Sequence, residues 1–245
     1  MQQIGIIGAG WLMSKWIENR AAKFTITTRS GIPSTPSRNV FKTIAYEVAA
    51  ADKLSYDDWQ EVDYIVVSVP FSGRNTLEVN MDLAINIVEN LIPLNKPTIV
   101  LTSTGVYSSA AGTYSEESAL LNPPLKIVED LFNKLHKVTI LRLAGLMGAE
   151  RYLSRYINKG DQEVVNHIHY EDVHQVIEWV YAENKWNETY NVVAPLHPTK
   201  HQLISYEMEG ILVEDEPLQD HRTISSKKLE KEGYIFKHSN PLYFK

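Results

Sequence analysis

The chain has 245 residues, of which 44% are apolar, and a formal net charge of −6 at pH 7. These values suit one large globular domain, or a core with a small lobe, and the acidic balance argues against a broad nucleic-acid surface. The absence of cysteine excludes disulfides, thiolate catalysis and cysteine–zinc sites.

Neither a secretory signal nor a membrane span is evident. Residues 1–10 lack a charged and then apolar leader, and no apolar run reaches the roughly 20 residues that cross a bilayer. We therefore expect a cytoplasmic protein that binds neither membranes nor nucleic acid. The expected partner is a small-molecule substrate, and the expected state is a monomer or a homodimer.

Strands and helices alternate along the first part of the chain, where apolar runs predict strands and apolar residues at helical spacing predict helices. Such alternation predicts an α/β fold, a Rossmann-type doubly wound parallel sheet with helices on both faces. The stretch 39–63 gives no clear pattern. The predicted strands are 3–8, 24–28, 64–69, 98–102 and 138–143, and the predicted helices are 11–22, 75–91 and one that begins at Pro123 and Pro124.

The last third of the chain has a different pattern, with predicted helices at 172–182, 199–209 and 225–232 and a strand at 189–193. We interpret residues 1–150 as a nucleotide-binding core. Residues 151–245 would form a small C-terminal α+β lobe, partly interleaved with the core, so that the chain counts as one domain or two. Ligands of such sheets bind at the carboxyl ends of the strands.

The segment IGIIGAGWLMSKW (4–16) places Gly8 and Gly10 between the first strand and the first helix. A dinucleotide-binding loop needs one glycine for a tight turn and a second where the pyrophosphate approaches the backbone, next to a helix N-terminus. Met13 replaces a third glycine that serves helix–strand packing, so binding is expected despite it. The alternative is an ordinary strand–turn–helix with two chance glycines.

The end of the second strand indicates which dinucleotide is bound. An NAD site usually has an acidic residue about 20 positions after the loop, which binds the ribose 2′-hydroxyl. Here Arg29 stands between the hydroxyls of Thr28 and Ser30, a set that suits a 2′-phosphate. We expect NADP(H) to be preferred, with NAD(H) possible; the alternative is a solvated arginine at a strand end.

Four segments in order carry a family resemblance: the glycine loop, LTSTGVY (101–107), ILRLAGLMGAER (140–151) and NHIHYEDV (166–173). Together with TISSKKLEKEGYIFK near the C-terminus, they resemble the short-chain dehydrogenase/reductase superfamily. The resemblance is to the short, atypical members of its NAD(P)-dependent epimerase/dehydratase-like branch. It covers most of the chain and implies an oxidoreductase or epimerase-like activity on a small carbonyl, hydroxyl or sugar substrate.

The resemblance also implies roles for single positions. Ser103 falls at the substrate-binding serine of the superfamily, with Thr104 as the near alternative. The implied cofactor contacts are Gly8, Ala9, Gly10, Trp11 and Leu12 at the pyrophosphate, Arg29 and Ser30 at the adenosine ribose or its phosphate, Val69 and Pro70 beside the cofactor, and Leu146 and Met147 near the nicotinamide.

The sequence departs from the superfamily at its Tyr-x-x-x-Lys acid–base pair. The predicted helix after the serine strand contains Lys126 and Lys134 but no tyrosine. Tyr107, and after it Tyr114, are the candidate substitutes, although a tyrosine without a positioned lysine has a pKa near about 10 and is a poor base at neutral pH. The alternative function is therefore an NADP-binding sensor or partner-binding protein with little chemistry.

Two groups of histidines have spacings that suit a metal ion. His167 and His169 alternate on a predicted strand, and His197 and His201 are four residues apart. Pro198 interrupts the second pair, and no acidic residue was expected to complete the first. We therefore expect no metal centre.

Overall fold

The computed structural model describes residues 1–33, 37–72, 74–157 and 161–244. Strands and helices alternate through the described part of the chain. The strands are β1 (Gln3–Ile7), β2 (Lys23–Thr28), β3 (Val40–Ala45), β4 (Tyr64–Val67), β5 (Thr98–Ser103), β6 (Gly112–Tyr114), β7 (Val138–Leu143), β8 (Gly145–Met147), β9 (His167–His169), β10 (Thr189–Val192) and β11 (Arg222–Ile224). The helices are α1 (Trp11–Asn19), α2 (Leu77–Leu94), α3 (Pro123–Phe132), α4 (Tyr170–Ala182), α5 (Lys200–Glu209) and α6 (Lys227–Lys231).

Seven strands form a central sheet in the order β10-β7-β5-β4-β1-β2-β3. The pairs β1–β2, β2–β3, β1–β4 and β4–β5 are all parallel. The chain builds outward from β1 to β3, then returns to place β4 on the other side of β1. The predicted doubly wound α/β fold is confirmed, and its topological switch point lies between β1 and β4.

The central strands formed where the sequence is continuously apolar. Every residue of β4 is inaccessible to solvent, as are Ile4, Ile6 and Ile7 of β1. Strands covered by helices on both faces lose all their side chains to the core, which explains why their sequences do not alternate. Helix α1 packs through an apolar stripe that includes Met13 and Trp16, which are 0% and 3% exposed.

Strand β3 is the central-sheet strand that the sequence analysis missed. It lies at the edge of the sheet, and three of its six residues are exposed. An edge strand with one solvated face does not produce an apolar run, which is why residues 39–63 gave no clear pattern.

The described chain divides into two compact units. The first comprises 1–106, 122–141 and 180–189, and the second comprises 107–121, 142–179 and 190–245. The division into a core and a lobe at residue 150 stays a prediction. The second unit contains two small sheets, β6–β11 and β8–β9. Among the described residues, no helix is both long and apolar enough to cross a membrane.

Candidate functional site

A cavity of about 820 Å³ opens in the first unit, at the carboxyl ends of β1, β2, β3 and β4. Its volume is that of a small-molecule or cofactor site, and it lies at the switch point of the sheet, where ligands of doubly wound folds bind. The lining residues are Gly8, Ala9, Gly10, Trp11, Thr27, Thr28, Arg29, Ser30, Ile32, Tyr46, Glu47, Val48, Ser68, Val69, Pro70 and Leu83.

Gly8 makes the turn that leaves β1. Its φ is +89°, and a Cβ there would lie 3.0 Å from the carbonyl oxygen of Ser68. A side chain at this position is therefore both strained and blocked by backbone. Two hydrogen bonds to β2 hold the loop in place. Gly8 N–H donates to Thr27 Oγ1 at 3.1 Å, and Ala9 N–H donates to the Thr27 carbonyl at 3.2 Å.

Gly10 is the N-cap of α1 and has ordinary extended backbone angles. No atom lies within 4 Å of the place where its Cβ would be, among the described residues. The space beside Gly10 is therefore open on the cavity side, where a ligand can approach the backbone. Because a helix N-terminus carries a partial positive charge and N–H groups without intrahelical acceptors, this end of the cavity favours an anion.

Arg29 and Ser30 both line the cavity just beyond β2. The turn that carries them is held by Thr28 Oγ1, which donates to the carbonyl of Ile32 at 3.1 Å. Arg29 is exposed and makes no ion pair within the described part of the chain. Its guanidinium is therefore available to an anionic ligand.

The structure adds a group of lining residues at the end of β3 that the sequence analysis missed together with that strand. Asn90 Nδ2 donates to the buried Tyr46 hydroxyl at 3.2 Å, and burial raises the Tyr46 pKa to about 12. The Glu47 carboxylate accepts the N–H of Ala49 at 3.3 Å.

Leu12, which follows Trp11 in α1 and was expected at the pyrophosphate, is not among the residues that line the cavity. Its side chain is 6% exposed and packs in the core.

Ser103 is the last residue of β5, Thr104 begins the short 3₁₀ turn that follows it, and the environments of the two residues differ. Thr104 is 6% exposed, whereas Ser103 is partly exposed. Ser103 Oγ accepts the N–H of Gly105 at 3.0 Å, which fixes the hydroxyl and leaves its proton for another acceptor. Of the two residues, Ser103 is better placed to hold a substrate oxygen.

The geometry of Tyr107 disfavours the catalytic role expected for it. The residue is 4% exposed, and its hydroxyl donates to Asn191 Oδ1 at 2.8 Å while it accepts from Arg142 Nη1 at 2.6 Å. Burial raises the pKa of Tyr107, and the nearby Arg142 only partly offsets that rise. Because the buried Tyr107 hydroxyl already has one donor and one acceptor, it serves to link the elements that carry Arg142 and Asn191. Tyr114, the second candidate, stacks on Tyr107 and donates to the Ala110 carbonyl at 3.1 Å.

Leu146 and Met147 lie in β8, in the second unit. Met147 is 4% exposed and belongs to an apolar cluster with Val165, Ala194, Leu203 and Phe244. Its side chain therefore packs in that cluster, and its expected place near a nicotinamide stays a prediction. Leu146 is partly exposed, and its expected role stays a prediction.

The seven-stranded doubly wound sheet, with its cavity at the switch point, is a Rossmann-type fold. The same fold is found in NAD-dependent epimerases and dehydratases. The dTDP-glucose 4,6-dehydratase of Bacillus anthracis, solved in complex with NAD, has a TM-score of 0.75 at 15% identity, covering 99% of this chain and 94% of that one. The UDP-glucuronic acid 4-epimerase of Bacillus cereus, also solved with NAD, has a TM-score of 0.72 at 14% identity, covering 100% and 97%. The fold implied by the sequence resemblance is confirmed.

One similar sequence is Protein YeeZ of Escherichia coli (strain K12). It is 28% identical over an alignment of 250 positions, which covers 93% of this chain and 90% of that protein. No family model matches the chain.

Proposed function

We propose that the protein binds a nicotinamide dinucleotide in the 820 Å³ cavity and acts as an NAD(P)-dependent oxidoreductase or epimerase/dehydratase-like enzyme on a small carbonyl, hydroxyl or sugar substrate. The observation that carries this proposal is the meeting of the Gly8–Gly10 loop, the N-terminus of α1 and the open space beside Gly10 at the switch point of the sheet. Such a place suits a pyrophosphate. NAD-bound structures of the same fold support the proposal.

Within this proposal NADP(H) is the preferred cofactor and NAD(H) binds more weakly. Arg29 lines the cavity and is unpaired within the described ranges. A charge-assisted hydrogen bond to a 2′-phosphate contributes about 1.5–3 kcal/mol, with the lower end expected for an exposed guanidinium. Glu47 is the acidic residue of the lining, and its carboxylate already caps a short helical turn through Ala49.

The cofactor supplies hydride chemistry, and the chain's own residues bind and orient. The Ser103 hydroxyl is proposed to donate to a substrate oxygen. The helix that would carry Tyr-x-x-x-Lys, α3, has no tyrosine, and its Lys126 forms an ion pair with Asp130 on an exposed face. A missing acid–base pair costs a rate factor of about 10²–10⁴, so slow turnover is expected.

The alternative proposal is an NADP-binding sensor or partner-binding protein. The burial of Tyr107, the expected substitute for the absent acid–base pair, favours it. This alternative shares the dinucleotide site and differs only in lacking turnover.

Calorimetric titration with NADPH and with NADH tests the shared site, and a screen of NADPH oxidation over small aldehydes, ketones and sugars separates the two proposals. Turnover that falls in Ser103→Ala, with unchanged NADPH affinity, supports the enzyme. Tight NADPH binding without turnover on any substrate supports the sensor. An absence of binding by both dinucleotides would overturn both.

A further inference from the structure

His169, Glu171 and His238 meet at the start of α4 in the second unit. Each offers one donor atom, and these atoms lie within 4.8 Å of one another. His238 Nε2 is 2.7 Å from Glu171 Oε2, and His169 Nδ1 is 3.8 Å from the same oxygen. Two imidazoles and a carboxylate are a ligand set that Zn²⁺ takes in proteins. We propose that these three residues, the His169 cluster, bind a divalent transition-metal ion such as zinc.

The tautomer of His169 suits this role. The backbone N–H of Glu171 donates to His169 Nδ1 at 3.3 Å, so Nδ1 carries a lone pair and the ring proton lies on Nε2. The Nε2 edge of the ring lies against the backbone of Gly148. A Cβ on Gly148, if one were present, would lie only 2.2 Å from His169 Nε2. The nitrogen that points into the cluster is therefore the one able to coordinate a metal, which would replace the long hydrogen bond from Glu171.

His238 is held in place independently of its imidazole. Its N–H donates to Asp172 Oδ2 at 2.9 Å, and the N–H of Lys237 donates to Asp172 Oδ1 at 2.8 Å. Asp172 is fully buried, and Tyr234 also donates to it at 3.0 Å. A metal ion would therefore meet two ligands whose backbones are already fixed, which lowers the ordering cost of binding. The rings of His238 and His169 are stacked with their centroids 3.7 Å apart, so the two side chains must turn apart before both can coordinate one ion.

Lys237 is the competitor for the metal ion. Its ammonium lies 2.7 Å from Glu171 Oε2, and its side chain is 53% exposed. In the metal-free protein Lys237 balances the charge of the carboxylate. An incoming cation would displace the ammonium, which can move into solvent without being buried elsewhere.

The sequence analysis missed this cluster because its members are far apart in the chain. His238 follows Glu171 by 67 residues, so no local spacing connects them. Glu171 was close to His169 in sequence but was not recognised as its acidic partner. The expectation of no metal centre rested on that omission.

Zinc and cobalt titrations of the full-length, tag-free protein test the proposal. Calorimetry with zinc chloride should show one ion per chain, and Co²⁺ should give the visible absorption of a nitrogen- and oxygen-ligated site. His238→Ala should lose this binding, whereas His221→Ala, outside the cluster, should keep it.

Lys237→Met is a second test, in which the affinity for zinc should increase. A misfolded variant would lose zinc binding, so an increase cannot result from misfolding. Removing the competing ammonium should tighten zinc binding about fivefold, the order of one exposed ion pair, while Lys237→Arg should not. The proposal is overturned if the parent shows no saturable zinc binding, if His238→Ala binds as the parent does, or if Lys237→Met binds no more tightly.

Discussion

The N–H of Gly8 donates to the Thr27 hydroxyl across 3.1 Å, which joins the turn after β1 to the carboxyl end of β2. This hydrogen bond fixes the position of the glycine loop relative to β2. Thr27 is 2% exposed, so water does not readily replace its hydroxyl.

Thr27→Val should destabilise the protein by about 1 kcal/mol, because the Gly8 N–H loses its acceptor while the volume of the side chain is kept. The affinity for NADPH should fall with it as the loop loosens. Urea unfolding and calorimetry measure the two effects. Thr25→Val, in the same strand and also buried, is the matched control and should leave NADPH affinity unchanged.

Gly10→Val should lose dinucleotide binding, whereas Gly8→Val should lose stability. Gly10 has extended backbone angles and open space at its Cβ position, so its valine variant should fold normally and lose dinucleotide binding. Gly8→Val should lose about 1–3 kcal/mol of stability, since φ is +89° and Ser68 blocks the side chain. Thermal unfolding and NADPH titration separate the two. Normal NADPH binding by Gly10→Val would refute the loop assignment.

Arg29→Ala should weaken NADPH binding by about one decade, the lower end of the range for a charge-assisted hydrogen bond because the guanidinium is exposed, and leave NADH binding unchanged. Raising the salt concentration should reduce the preference in the parent, because Arg29 is exposed. Calorimetry with both dinucleotides measures this. Equal affinities in the parent would show that Arg29 does not read the 2′-phosphate.

Tyr107→Phe should act on stability rather than on chemistry. It leaves Arg142 and Asn191 without their shared partner in a buried place, which should cost about 1–3 kcal/mol of unfolding free energy. Tyr114→Phe, which removes one partly exposed hydrogen bond, should cost less. A loss of turnover in Tyr107→Phe with unchanged stability would restore the catalytic role.

Acidification should destabilise the second unit through His197. Burial lowers its pKa below the ordinary value, and the hydrogen bond to the Val165 carbonyl only partly opposes this. The unfolded chain therefore takes up the proton first, and stability falls as the pH drops below the unfolded pKa of about 6.5. His197→Asn should reduce the loss of unfolding free energy between about pH 7 and about pH 5. Exposed His136→Asn should not.

The sequence predicted the parts of the fold in which burial leaves a simple pattern. β1, β4 and β7 are mostly apolar and almost entirely buried because both faces are covered, and their positions were predicted to within about two residues. The glycine loop and Arg29 were found because their spacing from β1 and β2 is local. Tyr46, Glu47 and Val48 were missed because edge strand β3 is half exposed.

Long-range pairing could not be predicted in the same way. The role of Tyr107 depends on Asn191, which lies 84 residues away. The three-residue strands β6 and β11 exist only through their pairing with each other. No local periodicity indicates such partners, so the burial of Tyr107 became evident only in the folded chain.

The interleaving of the two units constrains how the chain folds as it is synthesised. All the residues that line the cavity lie between Gly8 and Leu83, whereas the unit that contains them is completed by 180–189. The cavity wall therefore leaves the ribosome long before β7 and β10 arrive to finish its sheet. During that interval β5 presents an uncovered apolar edge, the kind of surface that aggregates or recruits chaperones. Neither unit can be produced as a contiguous fragment, so a truncated chain would remain in that exposed state.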